Sequence, residues 1–93
     1  MLQKLVKQVA KNNEYINTYN ARIDELQQDI KRIAGHLANP YAYGVTFDQF
    51  VSDSARIAEL YATMQEYIDE IERLEKENQM LQEDIAELES EVN

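Results

Sequence analysis

Hydrophobic residues recur along the first third of the chain at alternating steps of three and four residues. The repeat runs through Leu2, Leu5, Val9, Asn12, Ile16, Tyr19, Ile23, Leu26, Ile30, Ile33 and Leu37. Only Asn12 breaks its hydrophobic character. A three-four repeat held over about five heptads is typical of a coiled-coil helix, whose a and d positions face a partner helix. The pattern predicts a first helix at about residues 2–37.

A second repeat with the same steps occupies the other half of the chain. It runs through Ile57, Leu60, Met64, Tyr67, Ile71, Leu74, Asn78, Leu81, Ile85, Leu88 and Val92. Again one asparagine, Asn78, interrupts the hydrophobic series. Upstream, Thr46 and Gln49 have the spacing of a capping box, in which a threonine side chain caps the start of a helix. Ser52 and Asp53 offer a weaker start. The sequence predicts a second helix at about 47–92.

The segment between the repeats, at about 38–46, contains the residues that end helices. Asn39-Pro40 cannot easily continue a helix, and Gly35 could close the first one as a left-handed cap. Two equal repeats around one short loop indicate a helical hairpin. We therefore predict an all-α fold, a single coiled-coil domain over residues 1–93, in which two long helices form a hairpin that associates into a dimer or a higher helical bundle.

Two antiparallel registers keep a positions against d positions. In the first, Leu26 faces Ile57 and each asparagine faces a hydrophobic residue. In the second, Asn12 faces Asn78, so that the two polar exceptions can satisfy each other. An unpaired buried amide costs roughly 1–3 kcal/mol, which favours the second register although it lengthens the loop.

A parallel zipper between two chains is the competing arrangement for the segment 66–93. Its a positions carry isoleucine, valine and Asn78, and its d positions carry leucine, a combination that favours two parallel strands. The flanking charges argue against a homodimer here, because Glu70 would meet Glu75 and Asp84 would meet Glu89. A basic partner helix would suit this segment better. Both arrangements stay open, and they can coexist.

Net charge is concentrated at one end of the chain. Residues 1–65 carry seven bases and seven acids, whereas residues 66–93 carry two bases and eleven acids, so the whole net charge of −9 lies in the last 28 residues. Three lysines near the start, Lys4, Lys7 and Lys11, are expected to lie beside this acidic segment in an antiparallel hairpin. The candidate partner-binding acids are Glu83, Asp84, Glu87, Glu89 and Glu91. They suit a solubilising face, a basic protein partner, or imitation of nucleic-acid phosphates.

Residues that carry chemistry are scarce. There is no cysteine, His36 is the only histidine, and neither a Gly-rich phosphate loop nor a calcium-binding loop is present. We predict no catalytic site, no metal, no cofactor and no small-molecule substrate. A DNA-binding zipper needs basic residues just before its coiled coil, but this chain has Glu66, Asp69 and Glu70 there. The sequence therefore argues against direct nucleic-acid binding. No apolar run approaches the length of a membrane span, and we expect a cytoplasmic protein.

The tyrosines fall into two groups. Tyr15, Tyr19, Tyr61 and Tyr67 lie on or beside the repeats, which predicts core aromatic residues with the hydroxyl at the edge. Tyr41 and Tyr43 lie in the loop, where they either fold back to cap the hairpin or form an exposed contact, joined by Phe47 and Phe50. We count Tyr41 and Tyr43 as candidate partner-binding residues.

The expected function is that of a self-associating coiled-coil protein, not an enzyme, which serves as a structural, scaffolding or adaptor element. Its expected partners are a second copy of itself, as a homodimer or higher oligomer, and a further protein, for which a basic one is a candidate. The alternative is a small acidic inhibitor, of the kind that phages use, which imitates nucleic acid and blocks a DNA- or RNA-binding protein.

Overall fold

The computed structural model describes residues 1–92, with only the backbone at Val92. Helix α1 spans Leu2–Ala38 and helix α2 spans Phe47–Val92. The two helices confirm the all-α fold and the helical hairpin. The a position predicted for the Val92 side chain, and Asn93 at the end of the acidic segment, lie outside the described residues. Neither helix, as far as Val92, contains a stretch apolar and long enough to cross a membrane.

Helix α1 continues past the glycine that was expected to end it. Gly35 is helical, so the predicted left-handed cap at this position is wrong, and α1 ends at Ala38. Glycine inside a helix costs about 1 kcal/mol relative to alanine. The burial of Ile33 and the partial burial of Leu37, on either side, offset that cost. Pro40 then stops the helix, because proline disfavours helical geometry in the residue before it.

The loop at residues 39–46 reverses the chain with two backbone hydrogen bonds. The Val45 amide donates to the Pro40 carbonyl at 2.9 Å, and the Gly44 amide donates to the Tyr41 carbonyl at 3.4 Å. Gly44 has a φ of 64°. An added Cβ would meet open space here, but this left-handed φ costs an L residue about 1–2 kcal/mol, so the turn favours glycine.

Thr46 caps the start of α2, as its spacing to Gln49 predicted. The Thr46 side-chain oxygen accepts a hydrogen bond from the Gln49 amide at 3.2 Å, and the Thr46 carbonyl accepts one from the Phe50 amide at 2.9 Å. This is the threonine half of the capping box. The cap satisfies one of the amide groups that the first turn of a helix leaves without a partner.

The contacts within the chain group it into two compact units. Unit 1 comprises Met1–Asn20 with Ile68–Asn93, and unit 2 comprises Ala21–Tyr67. In unit 2, Leu26, Ile30 and Met64 form a buried cluster, and Ile23, Ile57, Leu60 and Tyr67 pack against it. Ile33 is also buried in this unit.

Unit 1 has its own buried residues on both helices. Ile71 and Leu74 supply the buried hydrophobic side chains, and Asn12 and Asn78 are buried beside them. The Asn12 side-chain amide donates to the Asn78 oxygen at 3.0 Å. This hydrogen bond confirms the register in which the two asparagines face each other, and it excludes the register that places Leu26 opposite Ile57.

The residues of the two three-four repeats form the hydrophobic seam of the hairpin. These seam residues differ in how completely they are covered. In unit 1, the half-buried ones are Leu2, Leu5, Val9, Ile16, Tyr19, Leu81, Ile85 and Leu88. In unit 2, they are Ile23, Leu37, Ile57, Leu60 and Tyr67. Each of these side chains is partly covered within the hairpin, and the rest of its surface contacts solvent. Two helices therefore cover the hydrophobic seam only in part.

Candidate interaction surfaces

A hydrogen-bonded group of polar side chains lies within the hydrophobic seam of unit 1. Asn12 is only 2% exposed, and its amide donates to the Asn78 oxygen and to the Glu77 carboxylate, the latter at 3.1 Å. Gln8 donates to the Asn12 oxygen at 2.9 Å, and the Asn78 amide donates to Asn13 at 3.0 Å. In residues 1–92, no buried side-chain nitrogen or oxygen lacks a partner.

The sequence indicated the centre of this network but not its outer members. Both asparagines stood out because each alone interrupted a hydrophobic repeat. Gln8, Asn13 and Glu77 lie on flanking positions, where polar residues are ordinary and carry no signal by themselves. One available signal was spacing, because Gln8 precedes Asn12 by four residues and therefore lies over the same face of α1.

Arg73 connects two carboxylates along α2 beside this network. Its Nε donates to the two Glu70 oxygens at 3.1 and 3.2 Å, its Nη2 also contacts Glu70, and its Nη1 lies 3.4 Å from Glu77. The hydrogen bonds from Arg73 hold the pKa of Glu70 below its ordinary value. The pair therefore stabilises the fold above the ordinary pKa of glutamate, and it ceases to do so as the pH falls through the lowered pKa.

The three lysines of α1 take no part in the ion pairs found in the described residues. Those pairs join Arg22 to Glu25, Asp29 to Arg32, and Arg73 to Glu70 and Glu77, each within one helix. Lys11 does line a groove of about 420 Å³ together with Glu70 and Glu77. The expected proximity is thus present for Lys11, without an ion pair.

The five candidate acids near the end of α2 are all exposed. Asp84 and Glu87 line a shallow groove of about 220 Å³ with Met1, Leu5 and Leu88. Glu83, Glu89 and Glu91 are likewise on the surface. Within residues 1–92 none of these five carboxylates forms an ion pair. Glu83, Glu87 and Glu91 follow one another at four-residue steps, so like charges stack along one side of the helix.

The two loop tyrosines behave differently from each other. Tyr43 folds towards α1, and its ring centre lies 4.5 Å from that of His36. Tyr41 is 98% exposed and borders an open groove of about 370 Å³ whose other residues are Pro40, Val45, Thr46, Phe47 and Phe50. Tyr43 thus folds back towards the hairpin in part, whereas Tyr41 is the exposed residue that the second alternative predicted.

The four tyrosines on or beside the seam also differ in their exposure. Tyr19 and Tyr67 are half-buried on the seam. A hydrogen bond with the Tyr67 side chain is the main reason why the pKa of Arg22 is raised. Tyr15 and Tyr61 are exposed, so the prediction of core aromatic residues is wrong for these two. Each lies one position outside an a or d site, where the hairpin does not reach.

The described residues contain no group of three or more histidine, aspartate or glutamate side chains placed to hold a metal ion. Comparison of the chain with protein-family models, with curated proteins and with solved structures finds no match.

Proposed function

We propose that this chain is a self-associating coiled-coil protein, a homodimer or a higher oligomer, that serves as a structural, scaffolding or adaptor element and acts through binding surfaces instead of catalysis. One observation carries the proposal. Every predicted seam residue from Leu2 to Leu88 is buried or half-buried, and most remain half-buried in the single hairpin. A second copy would cover the rest of each seam, and burial of apolar surface stabilises association by about 25 cal/mol per Å². The cytoplasm stays our predicted location.

Light scattering tests self-association directly. At micromolar concentration we expect a mass of at least twice the 10.9 kDa of the single chain. The melting temperature should rise with protein concentration, because association stabilises the folded state by mass action. A mass of one chain at micromolar concentration would contradict the proposal.

The acidic surface supports a second proposal, that of a basic protein partner. The supporting observation is that Glu83, Asp84, Glu87, Glu89 and Glu91 are exposed and form no ion pair in the described part of the chain. Carboxylates in this state are available to cations on another molecule. A nucleic-acid-binding protein blocked by imitation of phosphates is the alternative form of the same proposal, since such a protein is itself basic.

Neutralising these five acids to glutamine or asparagine should separate stability from binding. We expect the free energy of unfolding to rise by about 0.5–1 kcal/mol, because the change removes like-charge pairs four residues apart. Affinity for a protein partner should fall, and the wild-type affinity should weaken between about 50 and 300 mM salt. Melting curves and binding titrations at both salt concentrations measure the two effects.

A matched control neutralises five exposed acids elsewhere, namely Glu14, Asp24, Glu25, Asp48 and Glu59. It changes the net charge equally and should leave binding nearly unaltered. An equal loss of affinity for the partner in both variants would mean that only the total charge of the chain matters. Unchanged binding in both, without salt dependence, would assign the acids to solubility alone.

A further inference from the structure

One side of α2 in unit 2 is exposed and free of charge. Its residues recur at three- and four-residue steps, which places them along one side of the helix. This uncharged stripe consists of Phe47, Phe50, Val51, Ser54, Ala55, Ala58, Tyr61 and Ala62, and all eight are exposed. Of the charged residues in the same stretch, Asp53 and Arg56 fall on other sides of the helix. Asp48 and Glu59 lie along one edge of the stripe, three or four residues from its members.

The stripe lies beside the surface that α2 presents to α1, and at its Tyr61 end it borders Ile30 and Lys31 of α1. Ile57, Leu60 and Met64 pack in the core of unit 2, whereas Phe47 is 79% exposed, Tyr61 is 56% exposed and Phe50 is 42% exposed. Scattered apolar residues on a surface are ordinary, but a contiguous row of aromatic and small residues marks an interaction surface. The row from residue 47 to residue 61 is about 21 Å long.

The stripe is complementary to a reversed copy of itself. If two such helices lie antiparallel around a two-fold axis at Ser54, Phe47 of one faces Tyr61 of the other. Phe50 then faces Ala58, a large side chain against a small one, and Ser54 faces its own copy at the point of closest approach. Alternating large and small side chains allow facing helices to interlock, and a two-fold contact uses the same patch on both molecules.

Charge also favours a second copy as the occupant. A stripe without charged residues has no means to select an acidic or a basic partner. Two copies that each carry a net charge of −9 repel each other least where they meet through neutral surfaces.

The available area is of the right order. With about 200 Å² for each aromatic side chain, the exposed fractions of the three rings amount to about 350 Å² in one copy and about 700 Å² in a pair. Stable interfaces bury at least about 1,200 Å². The three rings provide more than half of that area, and Val51 and the small residues between them add to it.

We infer that the uncharged stripe is the surface on which two copies of this chain pack antiparallel, with Ser54 at the two-fold axis. The inference rests on the proposed self-association and adds, to the half-buried seam, a second face through which two copies meet.

Replacement of Ser54 by arginine tests whether the uncharged stripe forms the dimer interface. Ser54→Arg places two guanidinium groups against each other at the axis, and we expect the dimer dissociation constant to rise about a hundredfold. Ser52→Arg is the matched control, because Ser52 is an equally exposed serine that lies on the charged side of the same helix. It should leave the dissociation constant within about twofold of wild type. Circular dichroism of both variants verifies that the helices are retained.

Cysteine cross-linking provides a second, independent measurement. The described chain has no free cysteine, so Ser54→Cys introduces the only thiol in residues 1–92. Mild oxidation should give a disulfide-linked dimer with Ser54→Cys and not with Ser52→Cys. A mixture of Phe50→Cys and Ala58→Cys tests whether the two helices run antiparallel. It should give the mixed disulfide-linked dimer in excess over either self-linked dimer.

The outcomes separate this inference from the proposed function. A wild-type dimer that Ser54→Arg leaves intact, with no cross-link at position 54, would overturn the inference while self-association stands. Self-linked dimers in excess in the Phe50 and Ala58 mixture would overturn the antiparallel arrangement. A wild-type protein of single-chain mass would overturn both proposals.

Discussion

Asn12→Leu is expected to lower the free energy of unfolding by about 2–3 kcal/mol, because the Asn12 side chain takes part in three hydrogen bonds in a buried position. Its loss leaves the Asn78 oxygen without a donor. Asn78→Leu should cost less, about 1 kcal/mol, since Asn12 would keep its hydrogen bonds with Gln8 and Glu77. Urea denaturation at one fixed protein concentration measures both losses.

The double variant, with leucine at both positions, should recover or exceed the wild-type stability, because a pair of leucines needs no hydrogen bond. The coupling between the two sites would then be at least about 3 kcal/mol. Asn17 supplies the control, since it is exposed on α1. Asn17→Leu combined with Asn78→Leu should give additive effects. Additivity in the Asn12 cycle instead would show that the two amides contribute independently.

Leu74→Ala is expected to destabilise the fold by about 2–3 kcal/mol, within the range found for deletion of a buried leucine side chain. Leu74 is 4% exposed, which makes it the most completely buried hydrophobic residue described. For a chain of this length such a loss lowers the melting temperature by roughly 10–20 °C. Thermal unfolding followed by circular dichroism measures the shift.

Leu88→Ala serves as the comparison, because Leu88 is on the same seam of α2 but only half-buried. Its loss should be about 1 kcal/mol, since part of the side chain already contacts water. Equal shifts for both leucines would mean that Leu88 is covered as fully as Leu74 in solution. That result would point to a second molecule over this end of the seam.

The fold was predictable because several independent signals agreed. The three-four repeat determined both helices, and the asparagine in each repeat determined the register, which the Asn12 to Asn78 hydrogen bond confirms. Thr46 and Gln49 determined where α2 begins. These signals depend on local spacing, or on the strong penalty for leaving a buried amide unpaired.

What escaped prediction depends on balances that local patterns do not reveal. Gly35 was an expected end of α1, but a glycine in a helix costs little when hydrophobic residues on both sides remain packed. Tyr61 was expected in the core because it lies next to the seam, and the hairpin leaves it in solvent. The uncharged stripe lies beside the a and d positions, so the heptad repeat gives no sign of it.

The loop at residues 39–46 has a consequence for the strength of helix pairing. The Asn12 to Asn78 hydrogen bond joins residues 66 positions apart, and the loop makes that encounter intramolecular. A short tether gives its ends an effective concentration of about millimolar. At micromolar protein, separate helices would meet about a thousand times less often, which corresponds to about 4 kcal/mol. These eight residues thus favour helix pairing by more than the loss of the buried Leu74 side chain is expected to cost, although they bury almost nothing themselves.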